Sequence, residues 1–321
     1  MKHNLSVTAM LVLFFLLAQV VGLGLINYKF QVVKVGNETN IGYTEVSGSE
    51  LPEWQTGIVL LYVLGGVLIG TLLVLLIIKL KKVKLWKLWF FVAVLIAIKF
   101  ALDVLIKNTT ITFIIALILT YFKVYKPNVV IHNLTEVLMY AGIGLFIVGL
   151  LKTHIMGAVI LLLIISLYDI YAVFKSKHMV KMAQFQTKSQ VFAGLMIPYT
   201  PKEQAAESVK LTSPKTLKKT FDVKTQKVEK KNAILGGGDI AFPLIFAGVV
   251  MQNIANKLYT NFGLTLEAAK SIAFQQSLII TLTTTIAIAL LFVFAKKDKF
   301  YPAMPIVTAG CLIGYGIVLL L

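Results

Sequence analysis

Two aspartates in this chain stand where charged side chains are rare. Asp169 and Asp239 lie within apolar runs, and neither has a lysine three or four residues away on either side. An ionised carboxyl without a partner is costly in a hydrocarbon slab, so such a residue points to function. Two carboxyls brought together do not both ionise, and the pair then holds one proton. The ionised member can take a proton from water while the protonated member polarises a carbonyl. Together they hydrolyse an amide without a metal or a covalent intermediate. The titration belongs to the pair rather than to either residue.

The neighbouring residues suit such a pair. Gly236, Gly237 and Gly238 run directly into Asp239, and Pro243 follows. Glycine lets a second backbone approach closely and lets a helix start bend. The Pro243 ring clashes with the Asp239 carbonyl and deletes one helical hydrogen bond, which loosens the helix at the aspartate. A third feature is Tyr301-Pro302-Ala303-Met304-Pro305. Its two prolines lack amide donors and favour an irregular, strand-like turn. Such a turn can hold an extended peptide by main-chain contacts. Taken singly, a kinked membrane helix or a loop proline pair would give the same patterns.

The other polar residues in apolar runs have simpler readings. Asp103 lies one turn from both Lys99 and Lys107, so local pairing suffices. Glu136 is expected at a span edge, solvated by headgroups and water. His3, His132, His154 and His178 are scattered near segment ends and read as interfacial. Cys311 is the single cysteine, so no intramolecular disulfide forms, and no CxxC or His–Cys spacing marks a metal site. Neither a metal nor a cofactor is expected.

Membrane helices must position these residues. Hydrophobic residues make up 58% of the 321, and charged ones only 14%, too few to form a soluble shell. Apolar runs of this length must be helical, because a bilayer offers the backbone no hydrogen-bond partners. Nine spans can be drawn, at 8–27, 55–79, 86–106, 110–125, 135–151, 154–174, 238–256, 272–295 and 302–321. The expected fold is an all-α polytopic membrane protein with nine transmembrane helices. It divides into spans one to six over 1–175, a mobile Lys-rich loop over 176–235, and spans seven to nine over 236–321. The first run reads as a retained signal anchor, since no small-x-small cleavage site follows it. Within the loop, 191–199 is apolar and would lie on the membrane surface, gate the site or be self-cleaved.

The net charge is +17, and every basic residue is lysine. The lysines cluster between apolar runs, which is a topology pattern and not a nucleic-acid footprint. With the N-terminus cytoplasmic, 24 lysines fall on the cytoplasmic side and six on the other. Without the thirteen near the long loop the bias is still 11 to 6. The N-terminus and 176–235 are therefore expected in the cytoplasm of a cell-membrane protein, with the C-terminus outside. Asp169 precedes Lys175 by six residues and Asp239 follows Lys231 by eight. Helical rise then puts both about 9–12 Å from the cytoplasmic edge. Carboxyls on antiparallel neighbouring helices can meet at that depth.

Three motifs in this layer resemble a known family. Tyr168-Asp169 resembles the YD motif of presenilins and signal peptide peptidases. Gly236-Gly237-Gly238-Asp239 matches their GxGD motif, and Pro302-Ala303-Met304 resembles their PAL motif with Met for Leu. The ordered trio on spans six, seven and nine is more specific than any one motif, and the resemblance covers the whole span plan. It implies a presenilin-like fold and an intramembrane aspartyl protease with Asp169 and Asp239 as its catalytic pair. Tyr168, Gly236, Gly238, Pro302, Ala303 and Met304 would shape the active site and contact substrate. Substrates would be single-span membrane proteins or peptides in the lipid bilayer. The lysine bias gives the presenilin orientation, inverted from that of signal peptide peptidases. The short, all-lysine N-terminus implies an archaeal or other microbial homologue that works without partner subunits.

Other readings use the same residues. A proton- or cation-coupled transporter also pairs aspartates on discontinuous helices, but no matching broken helix stands in the N-terminal half. A prepilin or preflagellin peptidase also resembles the GxGD pattern, yet in a shorter chain with no role for Pro-Ala-Met-Pro. A membrane scaffold without chemistry is the remaining alternative.

Overall fold

Nine α-helices form among the described residues: α1 (Leu5–Lys29), α2 (Thr56–Lys79), α3 (Val83–Leu105), α4 (Thr109–Tyr125), α5 (Val129–Leu151), α6 (Ile155–Ile170), α7 (Gly237–Thr260), α8 (Leu266–Phe294) and α9 (Met304–Leu319). The computed structural model describes residues 5–35, 38–43, 56–80, 82–176, 191–199, 231–295 and 301–321, with Met182, Phe185, Gln186 and Ser189 besides. Seven helices are long and apolar enough to cross a membrane, while α4 and α9 are apolar but shorter. The helix starts follow local chemistry. Asn108 caps α4 by accepting from the Thr110 and Ile111 amides, and Asn128 caps α5 by accepting from that of Val130. The α5 helix thus begins at Val129, ahead of the expected 135, because Pro127-Asn128 starts it and its first polar turns find protein partners.

The α5 and α7 helices form the middle of the bundle. Their span windows are each 72% buried, against 17% for α2, which faces outward. The α7 helix packs against α1, α5, α6, α8 and α9. Glycines allow the close approach. Leu244 of α7 sits between Gly22 of α1 and Gly144 of α5, where an added Cβ would come within 2.5 and 3.1 Å of the leucine. Small residues at helix contacts are the rule in lipid, where van der Waals fit drives association.

Two hairpins were not among the expected elements. Strands β1 (Phe30–Val35) and β2 (Glu38–Tyr43) pair antiparallel, with Phe30 opposite Tyr43. They sit against the C-terminal part of α7, where the Ile41 amide donates to Asn256 Oδ1 at 2.8 Å. Strands β3 (Gly194–Tyr199) and β4 (Lys231–Gly236) pair antiparallel, with Gly194 opposite Gly236 and Tyr199 opposite Lys231. The β4 strand runs directly into α7. The piece at 191–199, expected as a surface or gating segment, therefore contains a paired strand. The linker expected over 200–230 lies outside the described residues.

The buried polar residues correct the sequence reading in part. Asp103 pairs with Lys99 at 2.6 Å, as expected, and also accepts from Thr112 at 2.5 Å. Glu136 is not solvated at a span edge: it is 0% exposed and pairs with Lys123 at 2.5 Å. Lys123, counted among the cytoplasmic anchors, is equally buried. Each charge neutralises the other, so neither needs water. His132 is also buried rather than interfacial.

Candidate active site

Asp169 occupies the last turn of α6 and is 5% exposed. The chain continues through one π turn, Tyr171–Lys175, closed by the Ser176 amide donating to the Tyr171 carbonyl at 3.1 Å. Such turns change the phase of a helix and recur at functional sites. Asp239 lies in the first turn of α7, after Gly236 in the extended capping conformation (φ −62°, ψ 146°). The two carboxyls are close enough to act on each other electrostatically, and α6, α7 and α9 pack pairwise around them.

The α9 helix closes the third side. The Met304 amide donates to Asp169 Oδ2 at 3.1 Å, and the Ala303 amide faces the same carboxyl. Pro305 sits in the first turn of α9, where a missing amide costs nothing. Asp169, Asp239, Ala303 and Met304 are thus brought together. Tyr168, Pro302 and Gly236 are half-buried beside them, and Gly238 is exposed. The local shape differs from the expected strand-like turn. Ala303 is helical (φ −85°, ψ −31°), and its carbonyl accepts from Ile306 and Val307. The amides of this segment are aimed at the aspartate instead of being left for a peptide.

The glycine run is ranked by what stands beside it. An added Cβ at Gly237 would come within 2.5 Å of the Tyr140 hydroxyl; at Gly236 it would lie 3.1 Å from Asp239 Oδ2. At Gly238 the nearest atom is at 3.6 Å, an ordinary contact. The middle glycine, which the motif leaves unspecified, is the most constrained.

Sequence reasoning missed three supporting side chains. Ser166 Oγ and Thr308 Oγ1 are 2.6 Å apart and buried, joining α6 to α9 one turn from Asp169 and Met304. Gln19, 1% exposed, donates from α1 to the Ile240 carbonyl at 2.8 Å, beside the turn that Pro243 loosens. A lone Gln, Ser or Thr in an apolar span is the available signal, because a buried polar group needs a partner. Among the described residues no three or more His, Cys, Asp and Glu side chains gather as a metal site would require.

Among the described residues, no second strand pairs with the strand that enters α7. The backbone groups of Gly194 and Met196 turn to α5, so those of Leu195 and Ile197 face β4. In this register Ala233 and Leu235 face β3, and the backbone groups of Asn232 and Ile234 point to the opposite edge.

The family model described as signal-peptide peptidase, presenilin aspartyl protease matches residues 28–321. Among solved structures, the fold is similar to that of a presenilin family intramembrane aspartate protease, with a TM-score of 0.57, 17% identity and 98% of each chain covered. No curated protein matches by sequence.

Proposed function

Because this chain belongs to the signal-peptide peptidase and presenilin aspartyl protease family, we propose that Asp169 and Asp239 are the catalytic pair of the reaction that membership implies. The protein is a multi-pass membrane protein and an intramembrane aspartyl protease that acts on membrane-protein substrates. The observation that carries the residue assignment is convergence. Two carboxyls from α6 and α7 share one layer, and the start of α9 donates to one of them.

That geometry supports a division of labour. Asp169 accepts an amide hydrogen bond at the N-terminus of α9, a setting suited to the ionised member. Asp239 then carries the shared proton. Water adds to the scissile carbonyl carbon, giving a proton to Asp169 while Asp239 protonates the carbonyl oxygen. The gem-diol collapses as Asp169 protonates the leaving nitrogen and Asp239 recovers a proton from a hydroxyl. The C–N bond breaks, and both carboxyls return to their starting state.

A helical substrate hides its own amides and must be extended before it can react. The edge of β4 at Asn232 and Ile234, on which no strand pairs among the described residues, supports addition of a substrate strand there. Single-span membrane proteins or peptides are the proposed substrates. The lysine bias supports a cytoplasmic N-terminus and 176–235 loop, with water reaching the pair from that side. Family membership favours hydrolysis over the transporter reading that paired aspartates also admit.

The test is cleavage of a single-span peptide by the purified chain in lipid vesicles. Asp169→Asn and Asp239→Asn are each expected to abolish it. Cleavage retained in either variant removes that residue from the pair.

A further inference from the structure

The β3 strand has two edges, and both are occupied. One pairs with β4. The other is bonded by side chains from the first two turns of α5. Asn133 accepts from the Met196 amide at 3.0 Å and donates to the Met196 carbonyl at 2.9 Å. His132 Nε2 lies 2.8 Å from the Gly194 carbonyl and must carry the proton, since a carbonyl only accepts. Glu136 Oε2 accepts from the Gly194 amide at 3.0 Å. A helix therefore supplies the donors and acceptors that a neighbouring strand would, at residues two apart.

The support behind these side chains is complete. The Lys123 ammonium meets Glu136 Oε1 at 2.5 Å, Thr135 Oγ1 at 3.2 Å and the His132 carbonyl at 3.5 Å, which places all three of its hydrogens. Trp86 Nε1 donates to the Val191 carbonyl at 3.3 Å, fixing the approach to the strand. Asn133 is 2% exposed and Lys123 3%. An apolar cluster of similar volume would pack here at lower desolvation cost, so the network calls for a role beyond stability.

Register is that role. A short hairpin has its register fixed by its turn. Here residues 200–230 separate the strands, so no tight turn sets it. A slip of two residues would even keep every side chain on its own face. Gly194 is bound at both its amide and its carbonyl, has φ +149°, and leaves no room for a Cβ against the Leu235 carbonyl and Phe192. It lies opposite Gly236. Fixing Gly194 on α5 thus fixes where β4 ends and where α7 begins.

We propose that His132, Asn133 and Glu136 are positioning residues that act as a surrogate strand on β3, setting the register of the β3–β4 hairpin and so the alignment of the β4 edge with Asp239. This rests on reading Asp169 and Asp239 as the catalytic pair and the β4 edge as the substrate's seat. Lys123 keeps the Glu136 carboxylate neutralised in its buried place.

The test uses the full chain in lipid vesicles with a single-span peptide, reading cleavage positions by mass spectrometry alongside rate. Asn133→Leu keeps the volume and removes both bonds to Met196. It is expected to lower the rate about tenfold, the scale of one or two lost hydrogen bonds, and to spread cleavage over neighbouring bonds. Lys123→Met with Glu136→Gln keeps an acceptor for the Gly194 amide and is expected to cut at the wild-type bond. Lys123→Met with Glu136→Leu removes that acceptor and is expected to spread the cuts. Loss of folded protein lowers the rate without moving the cut, so position decides. If Asn133→Leu yields no folded protein, Asn133→Asp carries the decision, since it keeps the acceptor and loses the donor. Cleavage confined to the wild-type bond in the Asn133 variant and in Lys123→Met with Glu136→Leu would overturn the proposal. Cleavage by Asp239→Ala would overturn the catalytic pair instead, whatever the positions.

Discussion

The Met304 amide donates to an Asp169 carboxylate oxygen across 3.1 Å, which ties the first turn of α9 to the last turn of α6. The contact belongs to the backbone, so a side chain of similar volume at 304 leaves it in place. Met304 is 3% exposed. Met304→Leu conserves volume and is expected to cost less than about 1.5 kcal/mol and to leave cleavage within a few-fold of wild type. Thermal unfolding and an initial-rate assay check both parts. A large loss of rate at unchanged stability would mean that the thioether itself takes part.

The Ser166–Thr308 contact holds the same two helices one turn away. Ser166→Ala and Thr308→Val each leave one hydroxyl without its partner. Coupled substitutions of this kind in membrane helices give about 0.6–1.7 kcal/mol. The double variant is expected to be more stable than the sum of the single losses by that amount. A double-mutant cycle by thermal or detergent unfolding measures it, and strict additivity would show that the hydroxyls do not bond.

Gly237 and Tyr140 make a more specific case. Gly237→Ala drives a methyl against the Tyr140 hydroxyl, and either the first turn of α7 or the tyrosine must shift. The expected result is a loss of cleavage of about tenfold or more, since displacements of about 1 Å are expensive in catalysis. Tyr140→Phe removes the clashing oxygen and should recover part of the loss. Gly238→Ala, whose added methyl would meet only an ordinary contact with Phe242 at 3.6 Å, should stay near wild type. Equal losses at 237 and 238 would contradict this ranking.

Orientation can be read chemically because the native thiol is out of the way. Cys311 is 0% exposed. Phe262→Cys, in the turn between α7 and α8, is expected to react with an impermeant maleimide added to intact cells. Ser213→Cys, in the lysine-rich segment, should react only after permeabilisation. The reverse pattern would invert the topology drawn from the lysines.

The spans were legible because bilayer burial leaves a long apolar record in the chain. Asp169 and Asp239 stood out because a carboxyl inside a membrane, with no lysine three or four residues away to neutralise it, is costly to keep. The β1–β2 hairpin had a local signature in Gly36-Asn37 between two alternating runs, masked by the larger expectation of an outer loop. The β3–β4 pairing had no such signature, since its partners are far apart in sequence. Glu136 was misread because sequence shows a carboxyl near a span edge and not the Lys123 ammonium that reaches it from another helix. The helical start of α9 at Met304 was hidden by prolines, which are as much at home in a first turn as in an irregular loop.

Leu244 seated between Gly22 and Gly144 has a consequence for where the enzyme cuts. It works as a key in a notch: α7 cannot slide along α1 and α5 by a fraction of a turn without lifting the leucine out. Asp239, little more than one turn away on the same helix, inherits that fixed height. With Asp239 in the proposed catalytic pair, the depth of the scissile bond is set by the protein's own scaffold, like a stop on a workbench, and a substrate of any length is brought to the same line.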